Sequence, residues 1–281
     1  MSENITEEIK KLALELGADK IGIADAELAE DPPHGHGEPL KILPGAKAII
    51  AIAVAYPDGV FECDKTDDLI FGGSYVATQK MIEEEIRRIS LKLAKILEKK
   101  GYQAAPLTPQ LPRDEKRWTG VLSLRYIGQL AGLGEIGQSN LLVTPEWGPR
   151  IQMGAVVTDA PLEADGPVLI DKVCKHCNQC VEKCPPRAIA GDNYPPYNYN
   201  INRCMWGVNG WFRLTKVEEP PRDWVEARPT AQIMIPKYER QYPQIKEYQD
   251  WEQRLGFIPL CAECVIHCTI GKKAAEKRRA K

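Results

Sequence analysis

The segment at residues 174–185 reads Cys174-Lys-His-Cys177-Asn-Gln-Cys180-Val-Glu-Lys-Cys184-Pro185. Two, two and three residues separate its four cysteines, and a proline follows the last of them. This spacing is typical of loops that hold a [4Fe–4S] cluster, because short intervals between thiolates let one loop reach three irons of the cubane. In chains with two clusters, the fourth cysteine of such a run binds the other cluster. The segment therefore predicts a second set of cysteines downstream.

That second set is present, as a further run and one isolated cysteine between the two runs. We predict that one cluster is bound by Cys174, Cys177, Cys180 and Cys268. We predict that the other is bound by Cys184, Cys204, Cys261 and Cys264. The ninth cysteine, Cys63, receives no role.

Structural zinc and disulfides are the alternatives for these cysteines. Zinc prefers two C-x-x-C pairs or mixed Cys/His sets, and it would leave cysteines of this run unplaced. Disulfides need an oxidising compartment, whereas the chain opens on Met-Ser-Glu-Asn with no apolar signal. His176 and His267 lie inside the runs, and we expect them to be loop residues or donors to a cluster sulfur rather than ligands.

The composition sets limits on location and partners. The chain has 37 basic and 39 acidic residues, which gives no overall charge to attract nucleic acid or a strongly acidic partner. Its hydrophobic content of 43% is ordinary for a globular protein. No apolar run approaches the ~20 residues of a membrane span, and no twin-arginine signal precedes the first helix. These features predict a cytoplasmic protein, and low-potential clusters with free thiols predict a reducing, anaerobic cytosol.

Helical and strand patterns alternate before residue 165. Apolar periodicity predicts an amphipathic helix over residues 4–17 and a long helix over residues 75–100. Continuous or alternating apolar runs predict strands at residues 19–25, 46–56 and 150–158. The apolar stripe expected on the long helix comprises Met81, Ile82, Ile86, Ile89, Leu93 and Leu97.

A glycine-rich segment at residues 131–137 contains G-x-G-x-x-G, and Asp159 lies 22 positions beyond its third glycine. A dinucleotide site would require a helix directly after the glycines. Pro145, Gly148 and Pro149 interrupt the following segment, so we do not assign such a site. The glycines do allow close backbone approach and offer N–H groups, which suits a bulky cofactor that carries phosphate.

Fifty-six residues separate Cys204 from Cys261, and they are rich in tryptophan, tyrosine, proline and charge. A loop of this length without structure of its own is uncommon in a compact domain. We therefore expect a packed excursion or a lid, and we place this aromatic-rich insertion at about residues 205–258.

Together, these features resemble the superfamily that joins epoxyqueuosine reductase and the corrinoid-dependent reductive dehalogenases. The resemblance covers about residues 18–270 and is carried by four blocks. They are residues 43–50 entering a strand, Gly73-Ser-Tyr75 opening a long helix, residues 131–150 running on to residues 158–162, and the cysteine framework with Asn202-Arg203-Cys204. The third block is similar to the dehalogenase side in particular, through Gly-Leu-Gly-Glu and Pro-Glu-Trp-Gly-Pro-Arg.

The resemblance implies an α+β protein of two domains. Residues 1–165 would form a nitroreductase-like α/β domain that binds base-off cobalamin, and residues 166–281 a ferredoxin-like domain with two [4Fe–4S] clusters. Tyr75 would stand over the cobalt face as a catalytic residue, and Arg150 would lie near the substrate or the corrinoid. The cofactor-binding residues would be Gly132, Leu133, Gly134, Gly137, Ser139, Asn140 and Leu141.

Two departures from the epoxyqueuosine reductases shape the expected function. Their Asp-Ser-Ala-Pro segment is absent, with Asp114 the nearest acid, and no helical-repeat extension for tRNA follows the last cysteine. We therefore expect that tRNA is an unlikely partner and that the substrate is a small electrophile.

The predicted function is that of an oxidoreductase. Electrons from an external low-potential donor, of ferredoxin or flavodoxin type, would pass through two clusters to a corrinoid for reductive cleavage of the dehalogenation or deoxygenation type. Two alternatives remain open from the sequence: an iron–sulfur electron carrier without substrate chemistry, and a flavin on the first domain.

Overall fold

The computed structural model describes residues 4–30, 38–63, 73–108, 113–114, 119–167, 173–191, 199–247, 250 and 261–271. Its strands are β1 (Lys20–Asp25), β2 (Ala48–Ala55), β3 (Ala104–Leu107), β4 (Arg113–Asp114), β5 (Thr119–Gly120), β6 (Glu135–Ile136), β7 (Leu142–Val143) and β8 (Ile151–Thr158). Its α-helices are α1 (Ile5–Glu15), α2 (Pro39–Ile42), α3 (Val60–Cys63), α4 (Gly73–Lys99), α5 (Leu124–Leu130), α6 (Gln179–Glu182), α7 (Ile201–Val208), α8 (Trp211–Thr215), α9 (Arg222–Glu226), α10 (Ile235–Gln241) and α11 (Glu263–Ile266), with a 3₁₀ turn at Ala231–Met234.

The main sheet has four strands in the order β1-β2-β8-β3, and every neighbouring pair is antiparallel. Helices and this antiparallel sheet agree with the predicted α+β class. The predicted strands at residues 19–25, 46–56 and 150–158 correspond to β1, β2 and β8. Among the described residues, no helix combines the length and apolar character needed to cross a membrane.

Strand β2 is apolar along its whole length because both of its faces are covered. Successive side chains of a strand point to opposite faces. Ile50 and Ile52 face the helices α1 and α4, in a core that includes Ile86. Ile49 and Ala51 face α5, in a second core. The sheet is therefore the middle layer of the first half of the chain.

Helix α4 covers one face of the sheet. Ile82, Ile86, Ile89, Leu93 and Leu97 are buried there. The expectation that Met81 shares this stripe is wrong, since 67% of its surface is exposed. Each residue advances by about 100° around a helix, which takes Met81 off the face that Ile86 and Ile89 define.

The glycine-rich segment ends α5 and enters the short hairpin β6–β7, so no helix follows the glycines. A Cβ on Gly134 would lie 2.3 Å from the carbonyl oxygen of Val143 on the opposite arm of this hairpin. Asp159 accepts a hydrogen bond from the backbone N–H of Gln103 at 2.8 Å, next to the end of β8. Both features have structural roles here, in agreement with the prediction that the segment is not a dinucleotide site.

The described part of the insertion is built around an aromatic cluster of Trp206, Trp211, Trp224 and Tyr238, each at most 1% exposed. Their rings meet mostly edge to face, an arrangement that aromatic pairs favour. The buried indole of Trp224 donates to Asn202 O at 2.6 Å, and that of Trp206 to Val217 O at 2.8 Å. The insertion therefore packs onto α7, the helix that carries Cys204.

Candidate metal centres and the adjoining cavity

The structure brings eight cysteines together in two groups of four. Burial first, and then the nearby thiols of the first group, raise the pKa of Cys180 to about 12. Burial likewise raises the pKa of Cys264 well above its usual value, and the thiols that raise it further are mainly those of the second group. The first group, group A, contains Cys174, Cys177, Cys180 and Cys268. The second, group B, contains Cys184, Cys204, Cys261 and Cys264.

These memberships are the ones that the sequence spacing predicts, including the crossing of Cys184 and Cys268 between the two runs. That each group binds a cluster stays a prediction. The chemistry of the donor sets fits it, because each group offers the four thiols that a cubane requires. The raised pKa values mean that these crowded thiols resist ionisation. A bound cluster would offset this resistance, since a coordinating thiol is deprotonated by the metal. No three His, Cys, Asp or Glu side chains in the described part of the chain are grouped so as to hold a single metal ion.

Backbone N–H groups point at several of these sulfurs. The N–H of Ala188 donates to Cys184 Sγ at 3.2 Å. The N–H of Glu263 acts on Cys261 and that of Ile270 on Cys268, and each lowers a thiol pKa that burial raises. Hydrogen bonds to cluster sulfurs are one of the means by which proteins tune reduction potentials.

The first cysteine run is anchored to the glycine-rich segment. Glu135 is fully buried, and its Oε2 accepts from the N–H groups of Val173 at 2.8 Å and Cys174 at 3.1 Å. A Cβ on Gly137 would lie 3.4 Å from Cys174 Sγ. The close backbone approach that the glycines permit is thus an approach to neighbouring protein.

A cavity of about 330 Å³ opens beside group B. Its walls are mainly apolar, with a few polar groups, which is the usual character of a small-molecule site. The lining comprises Gly120, Leu122, Ser123, Leu124, Arg125, Leu141, Leu142, Pro149, Ile151, Gln152, Met153 and Ile201. Ile201 lies one turn before Cys204 on α7. Burial raises the pKa of Cys204, and the positive charge of the lining residue Arg125 lowers it. The cavity therefore adjoins the second thiol group.

Of the seven residues predicted to bind the cofactor, Leu141 lines this cavity. The other six lie in the β6–β7 hairpin and the turn before it, where most are buried against protein. They are Gly132, Leu133, Gly134, Gly137, Ser139 and Asn140. Their contact with a corrinoid stays a prediction.

Tyr75 is buried behind the cavity rather than in its described lining. It lies in the core with Ala262, Val265 and Ile266 around the last cysteine run. Its ring stacks on Tyr56, and burial raises its pKa well above the usual value. The Tyr56 oxygen in turn accepts a hydrogen bond from Nε2 of the cavity residue Gln152 at 2.8 Å.

Arg150 is buried at the start of β8, with its guanidinium turned towards the last cysteine run. It donates to backbone oxygens there, and its carbon Cζ lies 5.5 Å from the centre of the Phe61 ring. A role in contact with substrate stays a prediction for this residue.

Sequence reasoning missed four residues of this region: Arg125, Glu135, Tyr56 and Gln152. Arg125 and Glu135 are remote in the sequence from the cysteines that they approach. Gln152 is remote in the sequence from Tyr56, its hydrogen-bond partner. Of these four residues, only Glu135 has a feature in the sequence that could have identified it, because it is a carboxylate inside an otherwise apolar, glycine-rich segment.

Comparison with curated proteins finds epoxyqueuosine reductases; no protein-family model matches the sequence. The protein of Lactococcus garvieae is 30% identical over 224 residues, which are 72% of this chain and 60% of the relative. That of Vibrio cholerae is 27% identical, covering 68% of this chain and 55% of the relative. The chain thus spans little more than half the length of these relatives. A shorter relative, from Leadbetterella byssophila, is 23% identical, with 88% of both chains covered.

Solved structures with the same fold come from two groups of enzymes. Epoxyqueuosine reductase from Streptococcus thermophilus matches with a TM-score of 0.56 at 20% identity, over 96% of this chain and 67% of that chain. A reductive dehalogenase described as B12-dependent matches with a TM-score of 0.57 at 19% identity, over 92% of this chain and 37% of that chain. The resemblance to a superfamily that contains both groups is confirmed.

The comparisons overturn one expectation. The absent Asp-Ser-Ala-Pro segment and the missing extension predict that tRNA is an unlikely partner, but the curated relatives are named epoxyqueuosine reductases. One of the solved relatives, with a TM-score of 0.51 and 22% identity, is an epoxyqueuosine reductase in complex with a tRNA stem loop. The match also covers 88% of the Leadbetterella protein, so the missing extension is not an argument against tRNA. The expectation that tRNA is an unlikely partner is therefore wrong.

Proposed function

We propose that this chain, a relative of the epoxyqueuosine reductases and the reductive dehalogenases, is an iron–sulfur reductase that uses a corrinoid for reductive cleavage of the deoxygenation or dehalogenation type. The observation that carries the proposal is the placement of two adjacent four-thiol groups, with group B beside a cavity. A protein that only binds a ligand, without redox chemistry, would not require two such thiol groups.

The two thiol groups differ in their access to solvent. Cys177 of group A is exposed, whereas the other seven thiols of the two groups are only partly accessible. Cys180 and Cys264 are neighbours across the two groups. Electrons from outside would therefore enter at the cluster of group A and pass inward to that of group B.

The cavity, with a volume of about 330 Å³, offers contacts for part of a corrinoid, whose broad ring is mainly apolar and bears amide groups. Leu141, Leu142 and Ile201 would contact the ring, while Arg125 and Gln152 would bind polar groups at its edge. A bound corrinoid supplies a reducible cobalt that reacts with electrophilic carbon. Tyr75 would hold a proton on its hydroxyl, which donates to Tyr56, and Tyr56 is held in place by the cavity residue Gln152.

Cobalamin binding tests this proposal. Anaerobically reconstituted protein should bind cobalamin, and the absorbance spectrum of the bound cobalamin should be that of its base-off form. In Ile201→Trp, a larger ring at the cavity edge should weaken binding at least about tenfold. Ile201 is 47% exposed, so the core should tolerate the change. Ile233→Trp is the matched control, because Ile233 is 48% exposed and lies outside the cavity lining.

Absence of cobalamin binding, with both clusters loaded, would reject the corrinoid enzyme and leave the electron carrier. A flavin spectrum in the purified protein would favour the third alternative. Where cobalamin binds, two assays define the substrate class: loss of the epoxide from epoxyqueuosine-modified tRNA, and halide release from a halogenated phenol.

A further inference from the structure

Arg150 joins two segments that are far apart in the sequence. Its Nη1 donates to Ile270 O at 2.9 Å, and its Nη2 donates to Cys268 O at 2.7 Å and Ile266 O at 3.3 Å. Only 7% of the residue's surface is exposed. The last carbonyls of a helix have no partners within it. Arg150 therefore supplies partners for the end of α11 and for the turn that carries Cys268.

The surroundings hold the guanidinium in place. A Cβ on Gly148 would lie 2.4 Å from Ile270 O, and one on Gly271 would lie 2.5 Å from the carbonyl carbon of Trp147. These two backbone segments are thus in direct contact beside the arginine. The Phe61 ring lies 5.5 Å from Cζ of Arg150, within the range of a cation–π contact.

The positive charge lies next to the turn that carries Cys268. Nη2 of Arg150 lies 2.7 Å from the carbonyl oxygen of Cys268, the residue whose Sγ belongs to group A. Charges interact more strongly in a partly desolvated site than in water. A cation held here stabilises the more negative of two states of any group bound by Cys268.

We propose that Arg150 is a positioning residue that raises the reduction potential of the cluster held by group A. The inference rests on the proposed function, because it requires that this cluster is bound. Uptake of one electron adds one negative charge to the cluster and its four thiolates, and net charge is a determinant of cluster potentials. The fixed guanidinium therefore favours the reduced form and eases electron entry at the exposed end of the series.

A redox titration of the full reconstituted chain tests this role. Dithionite supplies the electron, and EPR follows each reduced cluster. Arg150→Gln keeps amide donors for the carbonyls but removes the charge. At a fixed potential, the ratio of reduced to oxidised group A cluster in Arg150→Gln should fall on the order of tenfold. This corresponds to a potential lower by about 59 mV for a one-electron couple. Arg150→Lys keeps the charge and should stay near the wild-type potential.

Two controls separate charge from general damage. The cluster of group B serves as the internal control, and its potential should not change in either variant. Arg88→Gln removes an exposed arginine that pairs with Glu85 on α4, and it should leave both potentials unchanged.

An unchanged potential in Arg150→Gln with full iron content would overturn the inference. So would a fall in Arg150→Lys as large as that in Arg150→Gln. If Arg150→Gln does not retain iron, Arg150→Lys decides: a wild-type potential supports the role of charge, and a tenfold fall in the reduced fraction contradicts it. Failure of the wild-type chain to load clusters would instead reject the proposed function.

Discussion

The ring of Tyr75 stacks on the ring of Tyr56, with centroids 5.0 Å apart and an angle of 16° between the planes. The hydroxyl of Tyr75 donates a hydrogen bond to that of Tyr56, which also accepts from Gln152 Nε2 at 2.8 Å. Gln152 lines the cavity, and Tyr75 lies among the residues around the last cysteine run. This pair therefore links the surroundings of the second thiol group to the cavity.

We expect Tyr75→Phe to lower turnover, because the hydroxyl that donates to Tyr56 is lost. The usual contribution of a positioned general acid, a factor on the order of 10²–10⁴, is the upper limit of the effect. The ring and its stacking on Tyr56 are kept, so iron content and cobalamin binding should stay near wild type. Tyr102→Phe, just beyond the far end of α4, is the matched control. Wild-type turnover in Tyr75→Phe would remove this hydroxyl from the mechanism.

Alkaline pH should unfold the protein partly through Tyr56. Burial is the main cause that raises the pKa of this tyrosine from 10.0 to about 12. Because the folded state holds the proton more tightly than the unfolded state, the contribution to stability is full below pH ~10 and is lost as the pH rises towards about 12. Two units of pKa correspond to about 2–3 kcal/mol.

Urea unfolding at pH 8 and pH 11 measures this loss. Tyr56→Phe should be less stable than wild type at pH 8, since Gln152 loses its acceptor, but its stability should fall less between the two pH values. An equal fall in both proteins would show that Tyr56 does not contribute to the alkaline transition.

The two cysteines Cys180 and Cys184 are neighbours in one run but belong to different thiol groups. Reconstituted wild-type protein should contain about eight irons per chain. Cys180→Ser and Cys184→Ser should therefore damage different clusters, which EPR of each reduced variant can distinguish. Loss of the same signal in both variants would contradict the crossed assignment, and about four irons in the wild type would contradict two clusters.

Gly134→Ala tests whether the glycine-rich segment has a structural role. The new Cβ would lie 2.3 Å from Val143 O, so the β6–β7 hairpin must shift. We expect a loss of about 1–3 kcal/mol in the free energy of unfolding, as for other overpacked sites. Gly59→Ala is the control, because no heavy atom lies within 4 Å of its added Cβ.

Urea denaturation gives the stability of both glycine variants, and cobalamin titration gives their affinity. Lost affinity in Gly134→Ala at wild-type stability would instead favour the cofactor contact that the family resemblance implies.

The sequence by itself determined the features that depend on short intervals. Spacing within one loop limits which thiolates can share a cubane, so the sequence predicts that Cys174, Cys177 and Cys180 stay together and that Cys184 joins the other group. That each group binds a cluster stays a prediction. Strand β2 and helix α4 follow from runs of apolar residues, whose periods are those of the elements themselves. Met81 departs from this pattern because hydrophobicity alone does not say which edge of a helix the sheet covers.

Only the tertiary structure decided what the glycines, the cavity and Arg150 contact. The Gly134 backbone meets Val143 across a hairpin, and Arg150 meets the turn at Cys268 across more than a hundred residues of sequence. Such contacts depend on how separate elements pack, and local propensity carries no information about them. The same limit applies to Tyr56 and Gln152, which became part of the candidate site only because β2 and β8 are neighbours in the sheet.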